Sequence, residues 1–166
     1  MIRPAQASDI AAIHQLIRDL AEYERALHEV TATEQDLRDA LLAERPSLFA
    51  HVAEEDGRVV GFALWFLNYS TWLGRHGIYL EDLYVMPGSR GRGHARALLA
   101  ELARICVERG YPRLQWWVLD WNSLARRFYE TLGAVAMDEW TVQRLTGPAL
   151  YTLAAETHGG RKRGGA

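Results

Sequence analysis

Arg90-Gly91-Arg92-Gly93-His94-Ala95 lies where an apolar, strand-like run (Ile78 to Met86) gives way to a long helical pattern (Ala95 to Arg109). The two glycines lack Cβ atoms, so backbone N–H groups can turn toward an anion and approach it closely. The helix that follows adds unpaired N–H donors and the positive end of its dipole. Arg90, Arg92 and Arg96 add side-chain charge suited to phosphate. The physical reading is a pyrophosphate cradle at a strand-to-helix junction. A P-loop would need a lysine and a hydroxyl after its last glycine, which are missing here. A dinucleotide fingerprint would need glycine where this chain has Arg96.

Working outward, Ser8-Asp9 caps a helix running to about Arg25, with Ile10, Ile13, Leu16, Ile17 and Leu20 on one face. Thr33-x-x-Asp36 resembles a capping box opening a helix to Ala43, and Arg45-Pro46 ends it. Leu48 to Ala53 reads as a strand, and Asp56-Gly57 as a hairpin turn into Val59 to Leu67. Asn68 to Gly77 reads as a loop. After the long helix, Gly110-Tyr111-Pro112 breaks to a strand, Arg113 to Leu119. Asn122 or Ser123 caps a short helix to Leu132, with Gly133 at its end, and a last strand spans about Met137 to Leu145. With residues 1–4 as an edge strand, the expectation is an α/β (α+β) layer on a single mixed, mostly antiparallel sheet of about six to seven strands. Residues 1–156 form one domain, and the basic, glycine-rich tail 157–166 is expected to be disordered.

Composition sets bounds. The 166 residues suffice for a full core without metals or disulfides. A formal net charge of −2 gives no basic field for nucleic acid. The single cysteine, Cys106, excludes an internal disulfide and falls mid-helix, where packing outweighs nucleophilic catalysis. His14, His28, His51, His76 and His158 show no ligand spacing, so no metal is assigned. No apolar run reaches membrane-spanning length and no signal segment opens the chain, so a cytoplasmic location is expected.

Two further constellations carry chemistry. On the short helix, Asn122, Ala125 and Tyr129 fall along one face. A tyrosine hydroxyl, ordinarily titrating near pH ~10, can protonate a departing thiolate. Glu81-Asp82 is a carboxylate pair inside an apolar strand, costly unless it serves something. An ammonium must lose a proton before it attacks a carbonyl, and a partly desolvated carboxylate can bind that cation and relay its proton. Alternation sends the two side chains to opposite faces, so one of them, Glu81, is the preferred base.

These elements together resemble the GCN5-related N-acetyltransferases. The loop matches their Arg/Gln-x-x-Gly-x-Gly/Ala pattern, and Asn122 to Tyr129 followed by Gly133-Ala134 is similar to their Asn-x-x-Ala/Ser-x-x-Phe-Tyr segment. Tyr79-Leu80-Glu81-Asp82-Leu83-Tyr84-Val85-Met86 and Leu16 to Glu24 resemble the diamine and polyamine branch over roughly residues 2–154, and Tyr69-Ser70-Thr71-Trp72 is similar to its thialysine group.

The resemblance implies acetyl transfer from acetyl-CoA to a small primary amine by direct attack, in a homodimer. Acetyl-CoA would be held by Leu83, Tyr84, Val85, Arg90, Gly91, Arg92, Gly93, His94, Ala95, Arg96, Asn122, Ala125 and Tyr129. The amine would meet Tyr23, Glu24, Trp72, Glu81 and Asp82, with Tyr129 and Glu81 catalytic. Ser70 stands where the polyamine group carries an acid, which favours a short amine over a long one. The alternatives are a spermidine/spermine acetyltransferase, a protein lysine or N-terminal acetyltransferase, and a non-catalytic acyl-CoA-binding module.

Overall fold

A computed structural model describes residues 1–159. Contacts divide the chain into a first unit, Met1–Trp117, and a second beginning at Val118.

In the first unit the order is β1 (Ile2–Pro4), α1 (Ile10–Tyr23), α2 (Glu34–Leu41), β2 (Phe49–Glu55), β3 (Arg58–Ser70), β4 (Arg75–Val85), α3 (His94–Arg109) and β5 (Leu114–Gln115). The sheet runs β1-β2-β3-β4-β5. Its first three pairings are antiparallel, and β4 pairs β5 in parallel. Thr33 caps α2 with the expected reciprocal bonds to Asp36. Asp56 and Gly57 both take positive φ (50° and 75°), the backbone of a type I′ hairpin turn.

One sheet face carries Ala50, Val52, Phe62, Leu64 and Tyr84 against Ile10, Ile13 and Leu16 of α1 and Leu37 of α2. The other is covered by α3, whose Leu98 and Leu102 are fully buried. Each such leucine contributes on the order of 2 kcal/mol. The start of α1 is fixed by Arg3, which donates to Asp9 (2.6 Å) and Glu54 (2.8 Å).

The hairpin after β3 is tighter than the sequence suggests. β3 continues to Ser70 and β4 begins at Arg75, so a four-residue turn replaces the expected ten-residue loop. Ser70 is buried, and its Oγ accepts the Leu73 N–H at 3.3 Å.

The described strands number five rather than six or seven. The run expected over 113–119 ladders only at Leu114 and Gln115. The register of β3 with β4 passes from Trp65↔Leu80 to Leu64↔Asp82, which leaves Glu81 as a bulge residue. That bulge lies two residues beyond the last parallel pair and bends β4 where the ladder stops.

The second unit contains α4 (Ser123–Glu130) and α5 (Gly147–Gly159). Asn122 caps α4, accepting the Ala125 N–H at 3.2 Å, and Gly133 has φ 82°. The strand expected at 137–145 does not form, and among the described residues this unit contains no strand. α5 runs through Gly159, past the expected domain end at 156, while residues 160–166 of the anticipated disordered tail lie outside the described residues.

Candidate active site

The cradle forms at the junction of β4 and α3. Gly91 (φ 76°) and Gly93 (φ 85°) both adopt left-handed backbone, and Gly93 is the N-cap of α3 with no side-chain cap bond. A Cβ at either glycine would meet no protein atom within 4 Å. Their positive φ explains why glycine stands there, and the open space beside them leaves room for a ligand at the N-terminus of a 16-residue helix. The loop therefore fits a pyrophosphate by its backbone.

The loop's side chains are engaged with the protein. The Arg90 guanidinium lies 5.4 Å from the ring centroids of both Tyr23 and Tyr84, and its Nε donates to the Val85 carbonyl at 3.0 Å. This cation between two rings ties the end of α1 to β4. Arg92 pairs with Glu55, which also accepts from the Ser89 hydroxyl at 3.0 Å. His94 Nε2 is buried without a hydrogen-bond partner, 3.7 Å from Glu55 Oε2. Arg96 is exposed, and Ala95 is partly buried in the first turn of α3.

The acids gather at the bulge. Glu81 is exposed and Asp82 half-buried, facing the same side of the sheet as Leu64, its partner on β3. Burial, then the charges of Glu81 and Glu24, push the Asp82 carboxyl up to about 7. Burial raises Glu24 as well. The bulge breaks the alternation that would have separated Glu81 from Asp82. Both acids and Glu24 thus share one electrostatic site, in which Asp82 is the strongly perturbed group.

Leu83, Tyr84 and Val85 pair with Ala63, Phe62 and Gly61 of β3. The opposite edge of β4 is paired by β5 only at Ile78 and Tyr79. Beyond that point an extended amide chain can add to the edge as another strand would. At Gly61 a Cβ would approach the Tyr84 carbonyl oxygen to 2.8 Å, so close packing of β3 on β4 requires glycine there.

Other candidates fall elsewhere. Trp72 is 89% exposed at the tip of the β3–β4 hairpin. Cys106 is buried, its Sγ donating to the Arg113 carbonyl at 3.6 Å, and burial raises its thiol. That environment is the reverse of what activates a nucleophile. In the second unit, Asn122 caps α4 and Ala125 and Tyr129 lie on it, the Tyr129 ring 5.4 Å from that of Phe128. Among the described residues, no group of three or more His, Cys, Asp or Glu side chains is arranged to hold a metal ion.

Sequence reasoning missed Glu55, which is 34 and 37 residues from its partners Ser89 and Arg92. It also missed the bulge. The one local sign of the bulge was two consecutive acids in an apolar strand.

A mixed sheet flanked by helices, a glycine cradle opening a long helix and an interrupted fourth strand together define an acyl-coenzyme A-type transferase fold. The Acetyltransferase (GNAT) family pattern matches residues 10–134, and the chain belongs to that family. It is 38% identical over 164 residues to the thialysine N-ε-acetyltransferase of Mus musculus, covering 92% of this chain and 96% of the relative. It is 31% identical to the L-ornithine N5-acetyltransferase NATA1 of Arabidopsis thaliana, covering 92% and 86%. An integron cassette protein from the mobile metagenome of V. cholerae superposes with a TM-score of 0.77 at 26% identity, covering 93% of this chain and 96% of that one.

Proposed function

We propose that this chain transfers an acetyl group from acetyl-CoA to the side-chain amine of a small amino acid such as thialysine or ornithine, or to a short diamine. The observation that carries the reading is the bulge on β4, where Glu81 and Asp82 stand within electrostatic reach of Glu24. Three carboxyl groups in one partly desolvated place suit an ammonium. The likeness to thialysine and ornithine acetyltransferases supports the same class of substrate.

Acetyl-CoA, when bound, supplies an activated thioester. The backbone N–H groups of residues 91–96 would hold its pyrophosphate, and the free edge of β4 at Leu83 to Val85 its amide arm. Glu24 and Glu81 attract and orient the ammonium. Asp82, titrating near neutrality, accepts its proton on a carboxylate oxygen directly or through water. On the family resemblance, the Tyr129 hydroxyl gives a proton to the departing sulfur. Arg90 acts from behind by fixing Tyr23 and Tyr84. Residues 1–156 are assigned to the transferase domain, and the reading extends to a cytoplasmic homodimer, which sedimentation of the purified protein tests.

The deciding experiment measures thiol release from acetyl-CoA over thialysine, lysine, ornithine, putrescine, spermidine and spermine. The expected order places thialysine and ornithine well above spermine. If acetyl-CoA binds and no amine releases thiol, the enzyme reading fails. If spermine is preferred, the short-amine assignment fails.

A further inference from the structure

Glu55 is the last residue of β2, immediately before the Asp56-Gly57 turn, and belongs to no motif in the sequence. Its carboxylate accepts from Ser89, pairs with Arg92 and faces His94 Nε2 at 3.7 Å. Those three residues bracket the cradle, one before Gly91, one between the two glycines and one after Gly93. Ser89 is itself buried. Arg92 and Ser89 hold the Glu55 carboxyl below the usual carboxylate range, so it is an anion at neutral pH.

An anion cannot itself bind pyrophosphate. What it can do is hold a loop containing two left-handed glycines in one conformation, a loop that would otherwise sample many. We propose that Glu55 is a positioning residue for the cofactor loop, tethering Ser89 and Arg92 on either side of Gly91 so that the 91–96 backbone is pre-formed for the coenzyme A pyrophosphate. The proposal rests on the acetyl-CoA reading above and adds to it a contact from the β2–β3 hairpin. The opposing view is that Glu55 merely competes with pyrophosphate for Arg92. The two differ in sign. Loss of a tether weakens coenzyme A, because loop ordering is then deferred to the binding step. Loss of a competitor tightens it.

The test uses the full chain and its Glu55→Gln and Ser89→Ala variants, with coenzyme A as the probe in calorimetry. Hydrogen exchange of residues 90–96 is followed in the free protein, and steady-state rates are measured with acetyl-CoA. The expected result for Glu55→Gln is about a tenfold rise in Kd and in KM for acetyl-CoA, with kcat at saturation unchanged and faster exchange over 90–96. Ser89→Ala should show a smaller rise of the same kind. Unchanged or tighter coenzyme A binding by Glu55→Gln overturns the proposal, as does unchanged exchange over 90–96. If the wild-type protein binds no coenzyme A, the acetyl-CoA reading fails on its own. The exchange comparison still decides whether Glu55 orders the loop. Thermal melts of both variants separate a loop effect from loss of the fold.

Discussion

At the scale of single residues, Asp82 is the group whose environment departs furthest from water among the candidate acids. Its carboxyl is pushed up to about 7 by burial and by Glu81 and Glu24. A base must be ionised to accept a proton, so kcat/KM for the amine should rise with pH through about 7. Asp82→Asn removes that limb and lowers the rate by roughly 10²–10⁴-fold, the usual worth of a positioned acid or base. A pH–rate profile of both proteins checks this, and an unchanged acid limb in Asp82→Asn would assign it elsewhere. Glu81, exposed on the bulge, is given the lesser role of attracting the cation, so Glu81→Gln should raise KM for the amine more than it lowers kcat. Equal losses in the two variants would return Glu81 to the catalytic position that the family resemblance suggests.

Elements decide how these residues meet, and here the sequence was legible unevenly. The cradle could be read because its determinants are local: two glycines, an apolar strand before them and a helical period after them. The Thr33 cap, the Asp56-Gly57 hairpin and the Asn122 cap were local in the same way and formed as the spacing suggests. The bulge at Glu81 could not be read, since register is a property of two strands and only the pairing with β3 reveals the extra residue. The Arg90 clamp and the Glu55 tether were likewise invisible, because their partners come from α1 and β2. The strand anticipated at 137–145 had suitable residues and, among the described residues, no partner strand in its unit. A prediction at this scale concerns Gly93. With φ 85° and no protein atom near its Cβ position, Gly93→Ala is strained by its backbone alone and should cost about 1–2 kcal/mol of stability. Its larger effect should be on KM for acetyl-CoA, because the added methyl enters the space left for the ligand. Calorimetry with coenzyme A and a thermal melt distinguish the two contributions, and a variant that melts lower yet binds normally would remove Gly93 from the cradle.

For the molecule as a whole, the dependence of stability on pH joins the site to the core. His51 is buried on the α3 side of the sheet, where its Nδ1 accepts the Trp65 indole N–H at 3.1 Å. The indole can only donate, so the imidazole must be neutral with its proton on Nε2, and burial lowers its tendency to protonate. The unfolded chain therefore takes up a proton there below about pH 6.5 that the folded chain resists, and stability falls as the solution is acidified. Asp82 has the opposite sign. Its folded carboxyl titrates near 7 against 3.8 for the ordinary group. Between those values the folded state binds the extra proton, and stability is lost as pH rises toward and through 7. The two groups squeeze the protein from either side. Stability is expected to be greatest in the mildly acidic range, near where Asp82 is protonated and His51 is still neutral. Asp82→Asn removes the loss on the alkaline side. Its melting temperature should exceed wild type by a margin that widens as the pH rises from 5 to 8, by several degrees or on the order of 3 kcal/mol over that interval for so large a shift. Melting curves of the two proteins from pH 5 to 9 measure the divergence. If the curves stay parallel, Asp82 carries no ionisation penalty in the folded protein. Its role as the proton acceptor at the bulge would then lose its physical basis.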